Sequence, residues 1–438
     1  MSDTSSVSSY GSDHKLDLWH TSLQRIKEND PYKKTIAPGP WDSEVNGYVQ
    51  NMTNEEWREL GQIISNNTHL QIIKFGYGLM DNYNISFFFK GLTRSSSIRT
   101  LDLERNEFTL TGLRSVVPFL QNTNSLKFLN LSHNNIRPEG FNMVLWALRD
   151  SPITEIAVHN CGIHPMKLDK EHIPRHLRSL TLTDNSINAD GCRELAKLLR
   201  GGEATIAYMC LNNNNLDDNG VEILVDALQD NTSLRVLEVR GNRYISNRGL
   251  AMLLKLVNDI SSIEATLESN HTLKVLQVDD DGYQDLIETS LGVWYIDEAL
   301  NINLRNANNA EAAGRAKVIQ TQLQSEIRAK IAALQGVSHS VYSDIDPLHL
   351  PEVLASVGSH HGQGELYLAL KSSIAGVIST VNRKQCIEVQ MAYYVSKLEQ
   401  LGAELAAINE AAQGCRAEDG ESRIIKRRRK WWWGLWGR

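Results

Sequence analysis

The sequence predicts an α/β solenoid, with short parallel strands alternating with helices in stacked coils, followed by an all-α C-terminal region. Two observations predict it. Between Leu70 and Asp281 the phrase LxxLxLxxN, followed by xLxxxGxxxLxxxL, recurs about every 28 residues, a period that marks repeat architectures. Within each copy the apolar spacing changes from two to four, as expected where a strand passes into a helix over a shared core.

The elements follow in chain order. Residues 1–50 begin Ser-rich and reach Pro31, Pro38 and Pro40, so a flexible N-terminal segment is expected. TNEEWRELGQII, from Thr53, reads as a helix with Thr53 at its N-cap and acids in its first turn, which suits the helix dipole. It should cap the solenoid of residues 51–282 and shield a first strand around Leu70, Ile73 and Phe75. The clearest copy places Ile98, Leu101, Leu103, Asn106 and Phe108 before Gly112, Val116 and Leu120. The next has Leu126, Leu129, Leu131, Asn134, Ile136, Gly140, Val144 and Leu148; later ones carry Asn185 with Gly191, Leu195 and Leu199, then Asn214 with Gly220, Leu224 and Leu228. One coil cannot bury its apolar face alone, so coils must stack. Each aliphatic side chain fully buried is worth roughly 1.5–3 kcal/mol. The Asn amide both donates and accepts, and so suits a bend whose backbone groups lack partners.

Two coils are irregular. The fourth (Ile153, Ile156, Val158, Cys161, Ile163) runs on through Pro165 and Pro174, so a loop should replace its helix. The seventh (Leu234, Leu237, Val239, Asn242) has an extra residue before Gly249 and a longer helical return through Leu267. An eighth strand (Leu273, Leu276, Val278) ends at Asp281, and the pattern stops.

Residues 283–415 read as helical and are expected to cover the last coil, whose open edge needs protection. From Ile387 to Ala412, Ile387, Met391, Tyr394, Leu398, Leu401, Leu405, Ile408 and Ala412 alternate by four and three, a heptad seam. It packs on the same chain or pairs two chains, so monomer and weak homodimer both stay open. Residues 416–438 form a basic, Trp-rich tail.

These repeats resemble the leucine-rich-repeat family, and the 28-residue period with its GxxxLxxxL half resembles the ribonuclease-inhibitor-like class. The resemblance covers about residues 51–281. It implies a βα horseshoe with the parallel sheet on its concave face, and does not identify a partner or an activity.

Composition fits. A 438-residue chain that is 41% hydrophobic and 22% charged is ordinary for a globular protein with more than one unit. No apolar run approaches a membrane span, and the polar start MSDTSSVSSYGSD has no signal-peptide core, so a cytoplasmic protein is expected. Five cysteines without framework spacing point to reduced thiols.

Strand residues between the leucines should form the concave face: Lys74, Asp102, Glu104, Phe128, Asn130, Glu155, His159, Thr181, Tyr208, Asn212, Glu238, Arg240 and Asp279. Their charges sum to about −3 with His neutral, which gives no cation stripe, so nucleic acid is not the expected partner. Phe128, Tyr208 and Arg240 are of the types that anchor protein interfaces. The other reading is an ordinary solvated face.

The last signal is Lys426, Arg427, Arg428, Arg429 and Lys430, followed by Trp431, Trp432, Trp433 and Trp436. Residues 423–438 carry +7, so the remainder of this −7 chain carries −14. Basic residues attract anionic headgroups at about 1 kcal/mol each, and Trp settles at the water–lipid boundary. That implies a membrane-peripheral attachment. The same basic run reads as a nuclear import or nucleic-acid patch, or as a tail docked on the acidic remainder.

Cys161, His164, His172 and His176 are loosely spaced for zinc, but Cys161 occupies the buried repeat-Asn position, so no metal site is expected. Asp279, Asp280 and Asp281 are read as a solvated turn. No phosphate loop, GxSxG elbow or HExxH occurs, so no catalytic site and no cofactor are expected. Some relatives of this repeat class activate GTPases through a loop Arg, and no such Arg stands out here. A non-enzymatic intracellular recognition or scaffold protein is the leading reading. A tail-driven membrane or nuclear factor is second and a GTPase activator third.

Overall fold

A computed structural model describes residues 12–38, 43–200, 206–278, 286–307, 309–322 and 325–337. All belong to the first of the chain's two units, Met1–Asp346; the second is Pro347–Arg438. The heptad segment 387–412, the tail 416–438 and Asp279–Asp281 lie outside the described residues.

Nine strands among the described residues form one sheet in chain order, β1 (Thr35–Ile36), β2 (Ile72–Lys74), β3 (Thr100–Asp102), β4 (Phe128–Asn130), β5 (Glu155–Ala157), β6 (Ser179–Thr181), β7 (Tyr208–Cys210), β8 (Val236–Glu238) and β9 (Val275–Gln277). Neighbours pair in parallel, and register keeps each repeat position in one row: Ile73, Leu101, Leu129, Ile156, Leu180, Met209, Leu237 and Leu276 align and are buried. The helices in order are α1 (Ser12–Lys27), α2 (Ser43–Gln50), α3 (Asn54–Asn66), α4 (Asn82–Gly91), α5 (Leu110–Asn122), α6 (Arg137–Leu148), α7 (Ala189–Leu199), α8 (Asp218–Leu228), α9 (Asn247–Val257), α10 (Ile263–Glu268), α11 (Leu286–Arg305), α12 (Ala310–Lys317) and α13 (Ser325–Gln335). Strands repeat every ~4.8 Å while packed helices need about 8–10 Å. The stack therefore bends toward its strands, which puts the sheet on the concave side.

An asparagine ladder ties coil to coil. Asn214 Nδ2 donates to Leu211 O (3.0 Å) in its own coil and Leu182 O (3.0 Å) in the preceding one. Its Oδ1 accepts from Asn185 N and Ile187 N, both at 2.9 Å. Asn106, Asn134, Asn185 and Asn242 donate in the same two directions, and all are buried. In the fourth coil Cys161 takes this place, its thiol donating to Leu131 O and His159 O at 3.2 Å. The residue before each ladder position turns the chain through the left-handed region, from Arg105 (φ 54°) and His133 (φ 58°) to Asn213 (φ 53°) and Gly241 (φ 72°). At Gly241 a Cβ would also run into the Asn213 amide oxygen, so glycine suits that turn.

The core spans the coils without a break from Trp19 to Ala332. Its N-terminal end is aromatic: Trp57, Phe75 and Phe88 meet edge to face with centroids 5.5–6.0 Å apart, a favoured geometry. Gly61 of α3 and Gly91 of α4 permit this approach, since a Cβ at either would strike the other helix's backbone.

The N-terminal expectation changes. Residues 12–38 and 43–50 are built into the fold: α1 buries Trp19 and Ile26, and β1 extends the sheet, with Lys34 O accepting from Gln71 N and Ile72 N at 2.8 and 3.0 Å. The apolar spacing of Leu16, Trp19, Leu23 and Ile26 carried this information, masked by Ser-rich and Pro-rich flanks. Consequently α3, with its capping box between Thr53 and Glu56, is the helix of an additional coil that β1 opens ahead of those numbered from the sequence, and it does not end the stack.

The fourth coil lacks a repeat helix and holds only a 3₁₀ turn, Lys170–His172, between β5 and β6. At the far end α11–α13 cover the last coil. Asn303 of α11 is fully buried and donates to Leu273 O (2.8 Å) and Asn270 O (3.1 Å), taking over the ladder role. Gln335 of α13 accepts from Ile260 N (3.1 Å) and donates to Asn258 O (2.7 Å). No helix among the described residues is long and apolar enough to cross a membrane.

Candidate functional site

The sheet presents its outward rows between two buried ones, so its exposed chemistry follows from which residue precedes and follows each core leucine. The residues read from the sequence fall into two clusters. In the first, Asp102, Glu104 and Asn130 meet on β3 and β4. Asp102 accepts from Glu104 N (3.2 Å), Asn130 Nδ2 donates to Glu104 (3.2 Å), and Arg105 pairs with Glu104 at 3.1 Å. Burial pushes the Asp102 carboxyl above its ordinary range, and the Glu104 charge adds to that. The Glu104 N–H, Lys74 and Asn130 oppose it.

The second cluster centres on Glu238 of β8. Tyr208 Oη donates to one carboxylate oxygen (3.0 Å); Asn212 Nδ2 (2.9 Å) and the Cys210 thiol (3.3 Å) share the other. Asn212 Oδ1 accepts from Arg240 N (2.7 Å), and Cys210 meets Thr183 Oγ1 at 3.2 Å. Burial, then the neighbouring Cys210 and Glu238, raise the Tyr208 pKa far above its usual value, so the phenol remains a donor. Burial likewise raises that of Cys210.

Between the clusters lie Phe128 and His159, both half-buried, and exposed Glu155. His159 N donates to Ser132 Oγ (3.1 Å), and burial, followed by His133, holds the imidazole below its ordinary pKa. Arg240 is exposed and Thr181 half-buried; Asp279 lies outside the described residues. Cys210, Ser132, Thr183 and Arg105 join the site without having been singled out from the sequence.

The face does carry a cation stripe, contrary to the charge count over strand residues. The residue before each strand also lies in register, through bonds such as Lys127 N to Arg99 O, Arg178 N to Thr154 O and Lys274 N to Arg235 O. In that row Lys34, Arg99, Lys127, Arg178, Arg235 and Lys274 are basic. The signal was legible as a Lys or Arg directly after the first repeat leucine at Ile98, Leu126, Leu177, Leu234 and Leu273. It lies one residue before each strand, outside the positions between the strand leucines. An open depression of about 460 Å³ lies on this row, lined by Lys127, Glu155, His176, Arg178 and Tyr208 among others.

Among the described residues no group of three His, Cys, Asp or Glu is placed to hold a metal ion. Cys161 and Cys192 are buried, and burial pushes both thiols up to about 12.

Parallel one-coil strands, a buried amide ladder and helices on the opposite side define a leucine-rich-repeat protein, and a family model described as “Leucine Rich repeat” matches residues 123–141, 174–196 and 230–254. Its repeats are ribonuclease-inhibitor-like. The ribonuclease inhibitor of Sus scrofa is 24% identical over 212 residues, 46% of this chain and 46% of that protein. NACHT, LRR and PYD domains-containing protein 5 of Mus musculus is 25% identical over 192 residues, 42% of this chain and 16% of its own. Protein CARMIL of Dictyostelium discoideum is 22% identical over 177 residues, 40% and 15% respectively. The matched region thus spans less than half the length of each of these relatives.

Proposed function

We propose that this chain is a non-enzymatic recognition or scaffold protein that binds a protein partner on the concave sheet face. The observation that carries the reading is the Glu238 carboxylate, held by donors from Tyr208, Cys210 and Asn212 beside exposed Arg240. Groups fixed before a partner arrives lose little freedom on binding, and Tyr and Arg are the types in which interface energy concentrates. The relative named ribonuclease inhibitor acts, by its name, on a protein, which favours the same class of partner here.

A second reading rests on the tail. Its basic run with Trp431, Trp432, Trp433 and Trp436 suits an anionic membrane surface or a nuclear address, so we propose a cytoplasmic protein whose placement the tail adjusts. One experiment separates the two: affinity capture plus flotation with anionic vesicles, for the full chain, Glu104→Lys/Glu238→Lys, and a chain lacking 423–438. The sheet reading expects the double variant to capture its partner about tenfold less and the tail deletion to capture it normally but lose flotation. Unchanged capture by the double variant, with capture lost on tail deletion, would place the function in the tail.

A further inference from the structure

Among the described residues the basic row meets carbonyls but no carboxylate. Among the described residues no carboxylate forms an ion pair with any of its six cations. Arg99, Lys127, Arg178 and Arg235 are exposed. Lys127 Nζ reaches only the Pro152 carbonyl (3.1 Å). Lys274 Nζ is tied to the His271 and Asn303 carbonyls at 2.6 and 2.7 Å. Its pKa is lowered by burial and then by Arg235, so the members of the row feel one another. Like charges on neighbouring coils, as at Arg99 and Lys127 and at Arg235 and Lys274, oppose folding, while Thr154 and Ala207 separate Lys127, Arg178 and Arg235. A row kept this way is relieved when carboxylates approach it.

The dimensions fix the shape of what approaches. Arg99 on the β3 coil and Arg235 on the β8 coil are five strand spacings apart, about 24 Å, which an extended peptide spans in roughly seven residues. The line runs across the strands and crosses the depression between Lys127 and Arg178, where the Tyr208 ring offers an apolar wall. Asp102 and Glu238 lie on the same face, three residues or about 10 Å beyond Arg99 and Arg235, and Glu104 lies two residues further on. A gap of about 10 Å is one Debye length at 0.1 M salt, so a broad polyanion such as nucleic acid meets repulsion as well as attraction. A narrow strip of carboxylates flanked by donors or cations does not.

We propose that the partner docks through an extended acidic segment of about seven residues laid along Arg99, Lys127, Arg178 and Arg235. This inference rests on the sheet face being a docking surface and adds the chemistry of what binds there.

The test uses the full chain and measures fluorescence anisotropy with a labelled Glu-rich decapeptide containing one Tyr, at 50 and 150 mM salt. Lys-rich decapeptide, single-stranded oligonucleotide and anionic vesicles serve as comparison probes. The expected result is saturable binding of the acidic peptide, weakened at least tenfold in Lys127→Glu/Arg178→Glu and strengthened severalfold in Glu155→Gln. Glu104→Lys/Glu238→Lys should not weaken it. All these side chains are at least partly exposed, and far-ultraviolet circular dichroism checks that each variant is folded. No binding of the acidic peptide at 50 mM salt, binding unmoved by Lys127→Glu/Arg178→Glu, or oligonucleotide or vesicle binding that is tighter than the peptide's and is lost in that same double variant would overturn the proposal. Failure of the broader sheet reading shows separately, as partner capture that survives Glu104→Lys/Glu238→Lys.

Discussion

Replacing Asn185 by Ala is expected to cost about 3–5 kcal/mol of unfolding free energy. The Asn185 amide accepts from Cys161 N (3.0 Å) and Ile163 N (3.3 Å) and donates to Val158 O (2.7 Å) and Thr183 O (3.0 Å). Its removal orphans backbone groups deep in the stack, at about 1–3 kcal/mol for each one left without water. Coils touch only their neighbours, so a break in the middle also weakens cooperativity, and urea unfolding should become broader or biphasic. Cys161→Ala is the matched control. The thiol makes only weak bonds to two carbonyls, so a loss under about 2 kcal/mol is expected there. Equal losses in the two variants would mean that the ladder amide is not what joins the coils.

The second large effect is expected at Lys317, which is wholly buried at the end of α12. Its Nζ donates to the carbonyls of Val257, the last residue of α9, and Asn270 (3.3 Å), and meets His271 Nδ1 at 3.0 Å. A cation at a helix C-terminus is favourable, and an ammonium has three N–H groups for these three acceptors. Lys317→Ala takes this donor from Val257 O and His271 Nδ1 and opens a void, while Asn270 O keeps Asn303, and is expected to cost about 3 kcal/mol or more. The loss should be local, seen as faster amide hydrogen exchange in 257–271 and α11–α13 with the central coils unchanged.

The same cluster makes this end acid-sensitive. His271 Nε2 donates to Leu267 O (2.8 Å), which leaves Nδ1 as the acceptor facing Lys317. Burial, with Lys317 next, lowers the His271 pKa from 6.5 to about 4. Between those values the unfolded chain binds more protons than the folded one, so this contribution is complete above pH 6.5 and is lost as pH falls toward 4. Burial lowers the Lys317 pKa as well, so its contribution changes with pH in the same direction. Opening of the 257–271 segment, read as the observed exchange rate divided by the intrinsic rate at each pH, should rise between pH 6.5 and 4, and His271→Phe should flatten that rise. A flat profile in the unaltered protein would contradict the assignment.

How much of this was legible in the sequence depended on whether a feature repeats. Leu101, Leu129, Leu180 and Leu237 announce their row because every coil contributes the same side chain to one core. Asn106, Asn134, Asn185, Asn214 and Asn242 announce the ladder in the same way, and even the exception at Cys161 kept its place in register. The N-terminal strand was not legible, because β1 is two residues long and follows no repeat phrase; only its pairing with Ile72 and Ile73 makes it a strand. The acidic residues of the site were readable as outward strand positions, but their grouping around Glu238 was not. It depends on side chains from β7 and β8 that are about 30 residues apart in the chain. The basic row was periodic and therefore readable, but it lies one residue outside the interval that defines the strand. Lys317 had no sequence signal, since its partners are the end of α9 and the Asn270–His271 turn, 46 to 60 residues upstream.

The central claim is that a partner protein is gripped by the sheet and not by the helices. Site-specific photo-crosslinking tests this most directly, with benzophenone placed singly at Ala157 and Thr181 on the sheet, and at Arg193 and Glu222 on the helices. The account predicts one discrete protein adduct from both sheet positions, abolished by Glu104→Lys/Glu238→Lys, and none from the helix positions. Adducts only from Arg193 or Glu222, or sheet adducts indifferent to the charge reversals, would contradict it.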